Sequence, residues 1–151
     1  MTSLITFFKN TKYKRISFTL SKTQHLLITA KVNGVKGRFI LDTGASNSCI
    51  GVEGVEKFML QTLPTHTKAA GAGAIGMPTE QSLHNELKIG RWKNKNFAFV
   101  VFDLTHVNTA LNQYKVKPVD GIIGADVLLA GNAIIDYANY SLFLHCERFL
   151  S

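Results

Sequence analysis

The sequence predicts an all-β fold, a closed, barrel-like single lobe with one or two short helices, and three observations support that reading. Short runs rich in Val, Ile, Phe and Thr recur along the chain, bounded by Gly, Asn, Asp or Pro, as packed strands require. The pair Asn33-Gly34 lies between two such runs and supplies the positive φ angles that a tight hairpin turn demands. Apolar residues at helical spacing are confined to brief stretches.

Taken in order, Ile16 to Leu20 and Leu26 to Val32 read as strands. The segment Asn33-Gly34-Val35-Lys36-Gly37 separates the second from Arg38-Phe39-Ile40-Leu41, so the chain reverses and runs into Asp42, where Thr43-Gly44 forces a turn. Ser48-Cys49-Ile50 reads as one more short strand. Val52, Val55, Phe58 and Met59 then predict a two-turn helix over Val52 to Leu60. Leu63 to Ala70 and Met77 to Ile89 form two arms around Gly71, Ala72, Gly73, Ala74, Ile75 and Gly76, a long hairpin with a small-residue tip.

Arg91, Lys93 and Lys95, with Asn94 and Asn96, mark a hairpin turn before the β-prone run Phe97 to Phe102. Thr105 to Tyr114 is open between loop and short helix. Val119 to Gly124 predicts a buried strand ended by glycine, and Ala125 to Leu129 a short helix begun near Asp126. Ala133 to Asp136 and Ser141 to Leu144 read as strands around a turn at Tyr137 to Tyr140.

With 151 residues and 46% hydrophobic content, the chain is expected to form one domain over residues 1–151, with 1–14 as a loose N-terminal extension. The net charge of +7 is spread along the chain rather than gathered on one element, so solvated turns explain it and no nucleic-acid partner is expected. Cys49 and Cys146 read as buried free thiols in a reducing compartment. His25, His66, His84, His106 and His145 have no metal-ligand spacing, so neither metal nor cofactor is expected. Leu4 to Phe8 is too short for a signal-peptide core, and no stretch reaches the ~20 apolar residues needed to cross a bilayer. The expectation is a soluble, cytoplasmic protein with no membrane contact.

One segment carries chemistry. Asp42 follows the apolar strand Phe39-Ile40-Leu41 and precedes Thr43-Gly44-Ala45. Alone, an aspartate at a strand-to-turn boundary is most simply a turn residue. A second apolar-apolar-Gly segment, Ile122-Ile123-Gly124, follows late in the chain within Asp120-Gly121-Ile122-Ile123-Gly124-Ala125-Asp126-Val127-Leu128. With the Gly-rich hairpin between them, these segments resemble the retropepsin-like aspartic proteases in order and spacing, from Leu26 to Leu144.

That resemblance implies the retropepsin-like acid protease fold and an aspartic endopeptidase acting on peptide or protein substrates, with Asp42 as the catalytic residue. Two neighbouring carboxylates share one proton, so one activates water while the other hydrogen-bonds the scissile carbonyl. The chain has a single Asp-Thr-Gly and is too short for duplicated lobes, so the second carboxylate is implied to be Asp42 of another copy in a homodimer. Thr43 is implied to hydrogen-bond across the two-fold axis, and Gly44 to allow the turn and leave room for substrate. Ala45 stands where relatives of the pepsin kind carry a hydroxyl, which implies a mildly acidic to neutral optimum.

Residues 71–76 become a flap over the site, with Ile75 and Met77 as candidate apolar contacts. The acidic and arginine positions that pair in viral relatives are Ser46 or Asn47 and Ala125 here, so that salt bridge is missing. Asp126 reads as a helix cap and Asp136 as a turn opener, and Asp120 is a third rival acid. Two other readings compete. An actin-like ATPase shares an Asp-x-Gly phosphate segment but needs far more chain, and an inactive retropepsin-like peptide-binding or dimerisation module would keep the fold without the reaction.

Overall fold

The computed structural model describes residues 3–64 and 79–147. A one-turn helix, α1 (Leu4–Phe7), precedes strands β1 (Tyr13–Ser17), β2 (Thr19–Leu20), β3 (Leu26–Val32), β4 (Val35–Leu41) and β5 (Cys49–Gly51). Helix α2 (Gly54–Lys57) leads to β6 (Leu63–Pro64), β7 (Glu80–Ile89) and β8 (Trp92–Phe102). The rest comprises α3 (Thr105–Gln113), β9 (Gly121–Ile123), α4 (Ala125–Ala130), β10 (Ile134–Asp136) and β11 (Ser141–His145). The chain is mostly β, as predicted.

Strands β3, β4, β9, β5, β8 and β7 pair in that order, and β7 returns to β3 through Lys31↔Lys88 and Val32↔Leu87, closing a six-stranded barrel. Closure removes the open edges that a sheet of this size would expose. The β3–β4 hairpin is held by a two-residue turn in which Asn33 and Gly34 have φ of 51° and 81°. Asn33 also bonds outside its turn: its Nδ2 donates to the Phe58 carbonyl (2.8 Å) and to Asn85 Oδ1 (2.9 Å), and its Oδ1 accepts from Glu86 N. The turn is thereby tied to α2 and β7.

Period-two alternation sends successive side chains to two cores. Phe39, Leu41, Ile50, Phe99 and Ile123 enter the larger core, whereas Leu27, Ile40, Cys49, Phe102 and Ile122 enter a second one completed by Leu104 and Leu111 at α3. Burial on both faces explains why the end of β4 (Phe39 to Leu41), β5 and β9 read as apolar runs.

Several boundaries differ from expectation. The run Ile16 to Leu20 divides at Phe18, because β1 joins a separate sheet ordered β1-β11-β10 while β2 pairs with β3. β4 starts at Val35 rather than Arg38: Gly37 lies within the strand, where an added Cβ would meet the Phe58 ring at 2.7 Å and the Phe39 ring at 2.8 Å. The predicted two-turn helix is the single turn α2, ended by Met59 at φ 56°, and Val52 and Met59 lie exposed. The turn before β8 is Gly90-Arg91, with Gly90 at φ 56°, so Lys93 to Asn96 lie in the strand. Thr105 to Tyr114 resolves mainly into α3, and Cys146 is only partly buried.

Candidate active site

Strand β4 runs parallel to β9 with Leu41 opposite Ile123, so the two segments singled out in the sequence end side by side. Asp42 N donates to the Ile123 carbonyl at 2.9 Å, which fixes the aspartate at the mouth of this strand pair. The chain then turns: Ala45 N donates to the Asp42 carbonyl, and Gly44 N donates to Asp42 Oδ1 at 2.8 Å. One carboxylate oxygen is thus oriented by the backbone, while Oδ2 takes no hydrogen bond among the described residues. Asp42 is half-buried, Thr43 and Gly44 are exposed, and Ala45 is buried.

Behind the turn the two segments are locked together. Ala125 N donates to the Ala45 carbonyl at 2.7 Å. Ser48 Oγ accepts from Gly124 N (2.9 Å) and donates to Asp126 Oδ1 (2.7 Å), whose other oxygen accepts from Ser48 N. An added Cβ on Gly124 would stand 2.4 Å from the Ala45 carbonyl oxygen, and one on Gly121 2.1 Å from that of Cys49. These glycines are needed for close approach of backbone to backbone.

Asp126 is not the N-cap of α4, although its Oδ1 also accepts the Val127 N–H of the first turn at 2.8 Å. Gly124 is the N-cap and supplies no side chain, and Asp126 reaches across to the loop after Asp42. The Ser46, Asn47 and Ala125 positions form no salt bridge, and the Ser48–Asp126 bonds brace the same region within one chain. Sequence reasoning passed over Ser48, a fully buried hydroxyl; its only trace was a polar residue immediately before an apolar strand. Asp120 accepts from Arg38 N and pairs with Lys57 at 3.1 Å, and Asp136 is held by Asn139, so neither rival acid shares the Asp42 site.

A cleft of about 590 Å³ opens beside Asp42. Ile40, Ile122 and Leu111 line it with apolar surface, Ala110 stands on its α3 wall, and Lys22 and His25 contribute its polar side. Desolvation pushes the buried Cys49 thiol up to about 12, with the Asp126 and Asp42 charges adding to the shift, so this cysteine stays protonated and is no nucleophile. Among the described residues, no group of three His, Cys, Asp or Glu is placed to hold a metal ion, and no helix is long and apolar enough to cross a membrane.

The flap expected at Gly71, Ala72, Gly73, Ala74, Ile75 and Gly76 lies outside the described residues, as do Met77 and His66. The base of that hairpin is described: β6 and β7 pair antiparallel through Leu63↔Gln81 and Pro64↔Glu80.

An aspartyl protease family model matches residues 28–127, a span that contains both locked segments. By sequence, no curated protein matches the chain. Among solved structures, the chain is similar to a retropepsin-like aspartic protease from Rickettsia conorii, with a TM-score of 0.61 and 22% identity over 87% of this chain and 90% of the other. It is also similar to EIAV protease in complex with the inhibitor HBY-793, with a TM-score of 0.57 and 18% identity over 78% of this chain and 98% of that one. The retroviral protease-like domain of Ddi1 from Leishmania major aligns with a TM-score of 0.50 and 19% identity over 80% and 93%.

Proposed function

From the premise that this chain belongs to the aspartyl protease family, we propose that it is an aspartic endopeptidase whose two catalytic carboxylates are both Asp42, one from each subunit of a homodimer. The observation that carries the reading is the half-built site. A lone Asp42 stands at the edge of an open cleft, one oxygen oriented by Gly44 N and the other unclaimed, beside an exposed Thr43 whose hydroxyl has no partner among the described residues.

Two such carboxylates brought together hold one proton between them, because both cannot ionise at close range. The ionised one takes a proton from water as the water oxygen bonds to the scissile carbonyl carbon. The protonated one donates to the carbonyl oxygen, giving a neutral tetrahedral diol. Proton transfer to the amide nitrogen then lets the C–N bond break, releasing amine and carboxylic acid and restoring the shared proton. The apparent pKa values belong to the pair, and activity follows a bell-shaped pH profile. Ala45 offers the carboxylates no hydroxyl, which favours a mildly acidic to neutral optimum. In this reading residues 71–76 would be the flap over bound peptide, with Ile75 and Met77 as candidate apolar contacts to it. No cofactor enters the reaction.

Dilution tests the shared site. Specific activity on an unstructured polypeptide is expected to fall as protein concentration drops through the dimer dissociation constant, in step with dissociation seen by sedimentation. Activity from a species that stays monomeric at assay concentration overturns the dimer. The cleft makes a separate prediction. Ala110 is exposed on α3 and lines it, so Ala110→Trp is expected to raise KM by about tenfold without altering thermal stability, by filling space that a substrate side chain would take.

A further inference from the structure

On the outer face of the β2–β3–β4 ribbon lies a second cleft of about 520 Å³, lined by Arg15, Ser17, Thr19, Thr29 and Arg38 among others. Antiparallel pairing explains the cluster. Thr29 is directly opposite Arg38 and Thr19 opposite Leu27, so Thr19, Thr29 and Arg38 project from one face. On the facing strand β1, Arg15 and Ser17 are two residues apart and likewise share a side.

The unusual member is Arg38. Its Nε is shielded from solvent and, among the described residues, has no hydrogen-bond partner, nor does the guanidinium form an ion pair. Asp120 accepts the Arg38 main-chain N–H, and its carboxylate pairs with Lys57. Burying a charged donor without an acceptor is costly, and native structures seldom leave one so. The hydroxyls of Ser17, Thr19 and Thr29 also have no partner among the described residues. Arg15 spends its Nε on Ser141 Oγ, and its Nη2 makes only a long contact to the Asn139 carbonyl. Among the described residues, no carboxylate lines the cleft. Arg38 Nε thus lacks an acceptor among the described residues, and the exposed hydroxyls of Ser17, Thr19 and Thr29 line the same cleft open to solvent.

We propose that this cleft, formed by Arg38, Arg15 and the hydroxyls of Ser17, Thr19 and Thr29, binds the phosphate group of a small phosphate monoester. A guanidinium presents a planar fork that meets two oxygens at once. The donors gathered here outnumber the roughly four lone-pair positions of a carboxylate, which favours a phosphate. Two cationic side chains match its charge of about −2. The volume exceeds that of a bare ion and falls in the range of small-molecule sites.

Calorimetric titration of the full chain at constant ionic strength tests the site, using inorganic phosphate, glucose 6-phosphate, acetate and a phosphoserine peptide as probes. Glucose 6-phosphate is expected to bind at least as tightly as inorganic phosphate, and acetate about tenfold more weakly or worse. Arg38→Gln is expected to raise the dissociation constant about tenfold or more, whereas Lys36→Gln, an exposed cation on the same strand, changes it less than about twofold. Should Arg38→Gln fail to fold, Thr29→Val keeps a β-branched strand residue, removes one donor, and is expected to weaken binding about threefold. The proposal is overturned if neither phosphate nor glucose 6-phosphate binds at about 10 mM, or if the folded Arg38→Gln or Thr29→Val protein binds as the parent does. Binding of the phosphoserine peptide alone overturns the small-ligand assignment.

Discussion

Replacing Asp42 with asparagine is expected to lower kcat for peptide-bond hydrolysis by at least about 10³-fold while leaving the fold in place. The fold survives because the side-chain amide oxygen of asparagine can still accept the 2.8 Å bond from Gly44 N that orients the carboxylate. On the proposed mechanism activity is lost because an amide neither takes a proton from water nor shares one with a second carboxylate, and in the proposed homodimer one substitution alters both halves of the site. The measurement is cleavage of an unstructured polypeptide by the wild-type and Asp42→Asn proteins, with circular dichroism to verify folding. Wild-type cleavage should also be blocked by a transition-state mimic of the pepstatin kind. Equal cleavage by the mutant removes Asp42 from the mechanism. A wild-type protein that binds peptide without cutting it supports the peptide-binding module instead.

Gly124→Ala is expected to cost about 3 kcal/mol or more of stability and most of the activity. The new Cβ would lie 2.4 Å from the Ala45 carbonyl oxygen, and that oxygen cannot retreat freely because it holds Ala125 N at 2.7 Å. Relief requires the Asp42 loop and the start of α4 to separate, which strains the Ser48 bonds to Gly124 and Asp126 as well. Gly34→Ala is the control. Nothing lies within 4 Å of its Cβ, so its cost of about 1 kcal/mol arises only from the positive φ of 81°. Urea denaturation of both variants separates the cases, and a Gly124→Ala midpoint matching that of Gly34→Ala shows that the two segments can move apart.

The parts of the fold legible from sequence are those written in neighbouring residues. The Asn33-Gly34 turn was readable because the backbone angles it needs restrict the residue types that can occupy it. The bounds of β3 were readable because apolar and β-branched residues dominate Leu26 to Val32, with Lys31 the one charged residue among them. Where local signals competed, tertiary context won. Asn94 and Asn96 look like turn residues, yet the chain reverses at Gly90-Arg91 and places them in β8. Val52 and Met59 have helical spacing, but neither is buried, so nothing rewards a second turn of α2.

For Asp42, the sequence alone determined the type of residue, its place at the end of an apolar strand, and the turn that follows, because each depends on atoms a few bonds away. Only the tertiary structure decided what holds it there. The parallel pairing of β4 with β9, the Ser48–Asp126 lock and the close approach of Gly124 to Ala45 join groups from distant parts of the chain. No local propensity encodes such partners. They are selected when burial leaves each polar group a single place to satisfy its hydrogen bonds.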